Sequence, residues 1–297
     1  MQILKTLILF TGILFAPLPA LADTLLIVQS VRDRAGAELR NSVTRTVPAR
    51  TELLILSDYT EVDLPRVVRE EQPDVILTIG EPALKAGRRI RGIPVVAVMS
   101  LSLGEKRSVQ ANITGIDIRI DPARYLAIFK SLGLKRIGVE YDPDKSGVYL
   151  AKAQHAAALA GIELALRPVR EPREAVQKLG SLKGNASDAL WLLPDSTVVT
   201  SLNLEATFNF SLYEKKPVIS YSGEQLKKGA AVALNPHWSA MGIQAGAMVR
   251  QLLDGATPRE LPLQSPQNFS LKSNESVLKH LGLLSGGLDR LFPKTKE

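Results

Sequence analysis

Asp74-Val75-Ile76-Leu77-Thr78-Ile79-Gly80-Glu81-Pro82 and Asp188-Ala189-Leu190-Trp191-Leu192-Leu193-Pro194-Asp195-Ser196 carry one pattern twice. Each is an unbroken apolar run that ends in a tight polar turn and leads into a helical segment. Each is then followed by a second apolar run announced by proline, Ile93-Pro94-Val95-Val96-Ala97-Val98 in the first half and Lys216-Pro217-Val218-Ile219-Ser220 in the second. Continuous apolar runs of this length, alternating with helices, describe parallel strands covered on both faces. The expectation is two similar α/β lobes. Ligands of such sheets sit at the carboxyl ends of the strands. The candidate site therefore comprises the loops at Gly80 to Pro82, at Ser100, at Pro194 to Thr197 and at Ser220 to Ser222, and two lobes presenting such loops to each other suggest a clamp.

The N-terminus has the three parts of a secretory signal peptide: a basic start with Lys5, an apolar core from Leu7 to Phe15, and the small-residue end Ala20-Leu21-Ala22. That core is too short to span a bilayer, so residues 1–22 are set apart as a leader and an exported, soluble product is expected. With no cysteine, a lipid anchor, disulfides and thiolate metal sites are excluded. An apolar content of 45% in 297 residues supports substantial cores and a two-domain chain. The formal charge is +7. Its first-half contributors include Arg32, Arg34, Arg40, Arg45 and Arg50, and Lys85, Arg88 and Arg89 share a helical face. These read as solvated helix faces, with docking to an acidic membrane partner as the alternative. Aromatic residues make up 5% and form no stacking cluster, which argues against nucleic acid.

Working outward, the pattern predicts strands at 25–29, 52–56, 75–79, 95–98 and 113–116, with helices at 35–46, 64–71 and 83–91. A second series has strands at 137–141, 163–169, 189–193, 218–221 and 230–234, late strands at 260–263 and 269–272, and helices at 148–159, 172–179, 198–212 and 238–253. Asp121-Pro122 opens a further helix, with proline where the missing N–H costs nothing. Asn274 caps a last one, and 285–297 reads as a partly disordered tail.

Asp195-Ser196-Thr197 is the sharpest constellation. An acid and two hydroxyls at a helix start are an N-cap. The same geometry also accepts a carboxylate on exposed N–H groups while Asp195 pairs with an ammonium. Gly80-Glu81-Pro82 stands at the equivalent turn of the first lobe, where Glu81 is either a ligand group or a first-turn acid complementing the helix dipole. Ser220 and Tyr221 follow a strand and would wall the crevice. Asp142-Pro143-Asp144-Lys145-Ser146-Gly147 imitates the start of a calcium loop but has Ala153 where a bidentate acid is required. It reads instead as a strand-to-helix loop in which Ser146 reaches the ligand. His155, His237 and His280 have no partners at metal spacing, and neither a nucleophile elbow nor a phosphate loop is present. No metal, cofactor or catalytic residue is expected.

The run Ala189-Leu190-Trp191-Leu192-Leu193-Pro194-Asp195-Ser196-Thr197-Val198-Val199-Thr200, preceded by Ala111-Asn112-Ile113-Thr114-Gly115, resembles the bacterial ABC-transporter substrate-binding family. So do Lys228-Gly229-Ala230, the segment from Met241-Gly242 to Leu253-Asp254-Gly255, and the close from Asn274 to Gly282. The resemblance implies the type I periplasmic binding architecture: two Rossmann-like α/β lobes with parallel sheets, joined by three crossovers, with a ligand cleft between them. It places 23–115 and 238–264 in the first lobe, 116–237 and 265–284 in the second, and 285–297 in the tail. Characterised relatives bind amino acids. The chain departs from the family pattern at Gly80-Glu81, at Ser30-Val31-Arg32-Asp33-Arg34 and at Ser100-Leu101-Ser102-Leu103, all within the first lobe's share of the site.

The resulting expectation is a monomeric periplasmic solute-binding component of an ABC importer, closing on a small polar molecule and serving a permease and ATPase. Asp195, Ser196 and Thr197 would hold the ligand's charged head and Ser220 and Tyr221 a wall, with Ser146 nearby; Gly80, Glu81 and Ser100 would form the opposing jaw. A sensor or accessory binding protein is the alternative, and an exported hydrolase the third reading.

Overall fold

The computed structural model describes residues 23–105 and 110–288. The expected leader and the last part of the tail lie outside the described residues. β1 (Thr24–Gln29), β2 (Arg50–Ile55), β3 (Val75–Ile79), β4 (Val95–Val98) and β5 (Ile113–Gly115) form a parallel sheet in the order β2-β1-β3-β4-β5. α1 (Arg34–Thr46), α2 (Leu64–Glu71) and α3 (Glu81–Gly87) connect them. The unbroken apolar strands follow from burial on both faces. Leu25 and Ile27 of β1 join a cluster with Leu39 and Val43 of α1, whereas Leu26 and Val28 join one with Leu64 of α2 and Ala83 of α3.

The second sheet has the order β11-β10-β9-β8-β6-β7. Its strands are β6 (Arg136–Tyr141), β7 (Glu163–Pro168), β8 (Ala189–Trp191), β9 (Val218–Ser220), β10 (Val232–Pro236) and β11 (Phe269–Ser273), parallel except for β11. Its helices are α4 (Pro122–Ser131), α5 (Pro143–Ala160), α6 (Pro172–Leu179) and α7 (Ser201–Glu214). Trp191 anchors one face, with the Tyr125, Phe129 and Tyr149 rings at centroid distances of 4.9, 5.5 and 5.8 Å.

α8 (Trp238–Leu253) leaves the second sheet and lies on α1 in the first lobe, while α9 (Glu275–His280) belongs to the second. The α1–α8 crossing is close because α8 presents glycine. A Cβ on Gly242 would stand 2.3 Å from the Leu39 carbonyl oxygen, and one on Gly246 2.1 Å from Thr46 Oγ1. The chain thus passes between the sheets three times, at 116–121, at 237 and at 264–268. Two of these passages are tied together: Asp117 N donates to the Gln264 carbonyl (2.8 Å) and Gln264 N to that of Gly115 (3.0 Å).

Several expected boundaries move. The strand at 260–263 does not form; residues 258–260 make a turn and Gln264 a single bridge to Ile116, since Pro262 removes a ladder donor. α5 starts at Pro143 rather than 148, because Asp142 supplies its N-cap and Pro143 its first residue. Ser146 is therefore helical, not in a loop. α7 starts at Ser201 rather than 198, capped by Thr200. β8 ends at Trp191, β10 begins at Val232, and α3 covers 81–87 instead of 83–91.

Candidate functional site

Neighbouring loops diverge where strand order reverses, and a crevice opens there. In the first sheet this point lies between β1 and β3, and a buried hydroxyl sews it shut from below. Ser30 Oγ donates to the Ile79 carbonyl (2.9 Å) and accepts from Ala83 N (3.0 Å). Gly80 passes over that hydroxyl at φ 92, where a Cβ would stand 2.6 Å from Ser30 Oγ. This path sets Glu81, an exposed residue, at the first position of α3. Its carboxylate accepts from Ser100 Oγ (2.5 Å), from Ser102 N (3.1 Å) and from Ser102 Oγ. Met99 precedes this turn at φ 55, a left-handed conformation that non-glycine residues rarely hold. Burial opposes ionisation of Glu81, but the hydrogen bonds from Ser100 and Ser102, helped by the Arg88 charge, outweigh it and hold the carboxyl below its usual range.

The second sheet reverses between β6 and β8, and there two acids bind each other's loops. Asp195 accepts from Asp142 N (2.9 Å), Ser146 Oγ (2.6 Å) and Thr197 N (3.0 Å). Asp142 accepts from Thr197 Oγ1 (2.8 Å) and Asp144 N (2.9 Å). Asp195 therefore does not cap α7, as the sequence suggests. It is 1% exposed and braces the turn that presents Ser196. Ser196 is exposed and accepts from Lys145 Nζ at 2.7 Å.

One guanidinium joins the two sets. Arg119, in the first passage between sheets, is 3% exposed and pairs with Asp117 (3.0 and 3.1 Å). It also donates to the carbonyls of Leu101 and Lys145, both at 3.3 Å. The turn that holds Glu81 and the turn of α5 that carries Lys145 thus meet across a single side chain. Burial raises the Asp117 carboxyl, and the Arg119 charge opposes this. Glu105 is raised by burial and by Glu81 and lowered by Lys145, Arg119 and Arg88, so charges from both lobes converge on it.

Of the nine residues singled out from the sequence, Gly80, Glu81, Ser196 and Tyr221 reach the surface. Ser100, Ser146, Asp195, Thr197 and Ser220 are buried; the first four hold the exposed groups in place, and the Ser220 hydroxyl has no hydrogen-bond partner. Tyr221 is half-buried, and burial raises its hydroxyl pKa. Sequence reasoning missed Ser102, Lys145 and Arg119 and assigned Arg88 to a solvated face, whereas it donates to Ser102. Lys145 lay within a segment read for its acids. The one signal for Arg119 was the alternation of apolar and charged residues in Ile116-Asp117-Ile118-Arg119-Ile120. Among the described residues no group of three or more His, Asp or Glu is placed to hold a metal, and no helix is long and apolar enough to cross a membrane.

Two α/β lobes with three passages and facing carboxyl-end loops define the type I periplasmic binding fold. Comparison with known proteins agrees. The model of the ABC transporter substrate binding protein family matches residues 60–286, and the chain belongs to that family, which comprises binding proteins that are typically periplasmic. A tyrosine-binding protein of Clostridioides difficile is 21% identical over 232 residues, covering 74% of this chain. The match spans just under two thirds (66%) of that relative's length. Among solved structures, the ligand-free, open form of a substrate-binding protein with adhesive properties from Clostridium difficile has a TM-score of 0.65 at 19% identity, covering 88% of this chain and 95% of that one. An ABC domain from Streptococcus pneumonia in complex with L-Trp has a TM-score of 0.62 at 16% identity, covering 92% and 99%.

Proposed function

We propose that this chain is the solute-binding component of an ABC importer, works in the periplasm without catalysing a reaction, and closes by hinge motion around an amino acid. The carrying observation is the meeting of the two switch-point loop sets across Arg119, from the turn that holds the ionised, exposed Glu81 on one lobe to the turn of half-buried Lys145, which donates to exposed Ser196, on the other. A small molecule with groups of both signs suits such a cleft, whereas a neutral sugar leaves its charges unused. The names of the tyrosine-binding relative and of the L-Trp complex support the same class.

The test is a thermal-shift screen of the purified protein against amino acids, sugars and polyamines, with mass spectrometry of the bound fraction. The expected result is stabilisation by at least one amino acid, recovered unchanged; ligand at 100 times its Kd adds about 2.7 kcal/mol. Stabilisation by sugars alone, or chemical conversion of the ligand, refutes the proposal. Loss of uptake of that amino acid on deletion of the gene tests the coupling to transport.

A further inference from the structure

We propose that Lys145, together with Ser196, receives the carboxylate of the ligand while Glu81 on the opposite lobe receives its ammonium, so that the cleft selects a zwitterion and fixes which end faces which lobe. The inference rests on the amino-acid reading above.

The argument is an inventory of donors and acceptors. An ammonium has three N–H groups. Lys145 Nζ makes one hydrogen bond, to Ser196 Oγ at 2.7 Å, and the hydroxyl that accepts it keeps its own proton to donate. The pair therefore turns donors toward the cleft, which is what a carboxylate requires. The other cations that act on Glu105 spend donors on the fold, Arg119 on Asp117, Leu101 and Lys145, and Arg88 on Ser102, and the Nε that each leaves unpartnered is buried. Lys145 is half-buried and keeps ammonium donors beyond the one given to Ser196.

On the facing lobe the inventory is reversed. The Glu81 carboxylate only accepts, and an ionised carboxylate has about four lone-pair sites. Three are used by Ser100 Oγ, Ser102 N and Ser102 Oγ, which leaves room for a donor. Both groups stand on rigid supports. The Lys145 carbonyl is held by Arg119 within the first turn of α5, and Glu81 opens α3 beside the Ser30 brace. Within each lobe the position of the anchor is thus set by the scaffold rather than by a flexible loop.

The test uses the full mature protein and calorimetry. Each amino acid that binds is compared with its C-terminal amide and its decarboxylated amine: for L-tyrosine, L-tyrosinamide and tyramine. Wild type should prefer acid over amide by roughly 30-fold or more, the effect of losing one partner of a desolvated charge pair. In Lys145→Gln the preference should collapse toward unity with little change in amide affinity, and Ser196→Ala should move the same way by a smaller factor. Lys152→Gln, on the exposed face of the same helix, should leave the ratio as in wild type. A Lys145→Gln protein that keeps the wild-type ratio overturns the inference while leaving the amino-acid reading intact. Equal weakening of acid and amide also overturns it and makes Lys145 a tie between lobes. If wild type binds no amino acid at all, the amino-acid reading fails and the inference with it.

Discussion

Glu140 lets stability be read against pH at one residue. It lies on β6, is 8% exposed, and faces a cavity of about 10 Å³ lined by Leu179, Leu190, Leu192, Val198 and Thr207. Its Oε1 has no hydrogen-bond partner. Burial pushes its carboxyl from 4.5 up to about 8, against weaker opposition from Lys178 and Arg167. Between those values the folded state holds a proton that the unfolded chain has released. The associated stability is fully present below pH 4.5 and is lost as pH rises through about 8. Glu140→Gln keeps the shape and removes the titration. One carboxyl at 4.5 in the unfolded chain and about 8 in the folded state makes the advantage of the variant over wild type grow by about 3–4 kcal/mol from pH 5 to pH 8, at a limiting slope of about 1.4 kcal/mol per unit, and then level off. Urea unfolding of both proteins at pH 5, 6, 7, 8 and 9 measures that difference. A constant offset across the range refutes the reasoning and shows that Glu140 is solvated in the native state.

Two other substitutions test the braces. Asp195→Asn replaces an all-acceptor group that faces Asp142 N, Ser146 Oγ and Thr197 N with one that turns N–H donors toward donors, and should cost roughly 1–3 kcal/mol in urea unfolding even without ligand; unchanged stability would make Asp195 a ligand group after all. Arg119→Met strands the Asp117 carboxylate in the hinge and should cost about 3–5 kcal/mol, whereas Arg119→Met with Asp117→Leu should recover much of it. Single and double variants of equal stability would show that the pair carries no coupling.

Legibility divided along physical lines. The strands were readable because burial on both faces leaves an unbroken apolar signature in the chain itself: Val75 to Ile79 and Val95 to Val98 stand where the pattern puts them. Helix starts were less so. The apolar periodicity of α5 is visible only from Val148, although its cap at Asp142 and proline at 143 were in plain sight. Loops at the carboxyl ends of the strands were also nameable from sequence, because strand direction alone puts them on one edge.

What sequence by itself determined is the class of fold, two parallel-sheet lobes with their loops at the carboxyl ends, since alternating apolar runs and helices admit few other packings. Only the tertiary structure decided which polar residues are buried braces and which are presented. Asp195 and Ser196 are neighbours in sequence, yet one is 1% exposed and the other exposed. The difference lies in partners 49 to 53 residues away in the chain, Asp142, Lys145 and Ser146, which no local pattern encodes. Arg119 makes the same point across the hinge. Its function depends on the Leu101 and Lys145 carbonyls, which become neighbours only after the two lobes have folded and met.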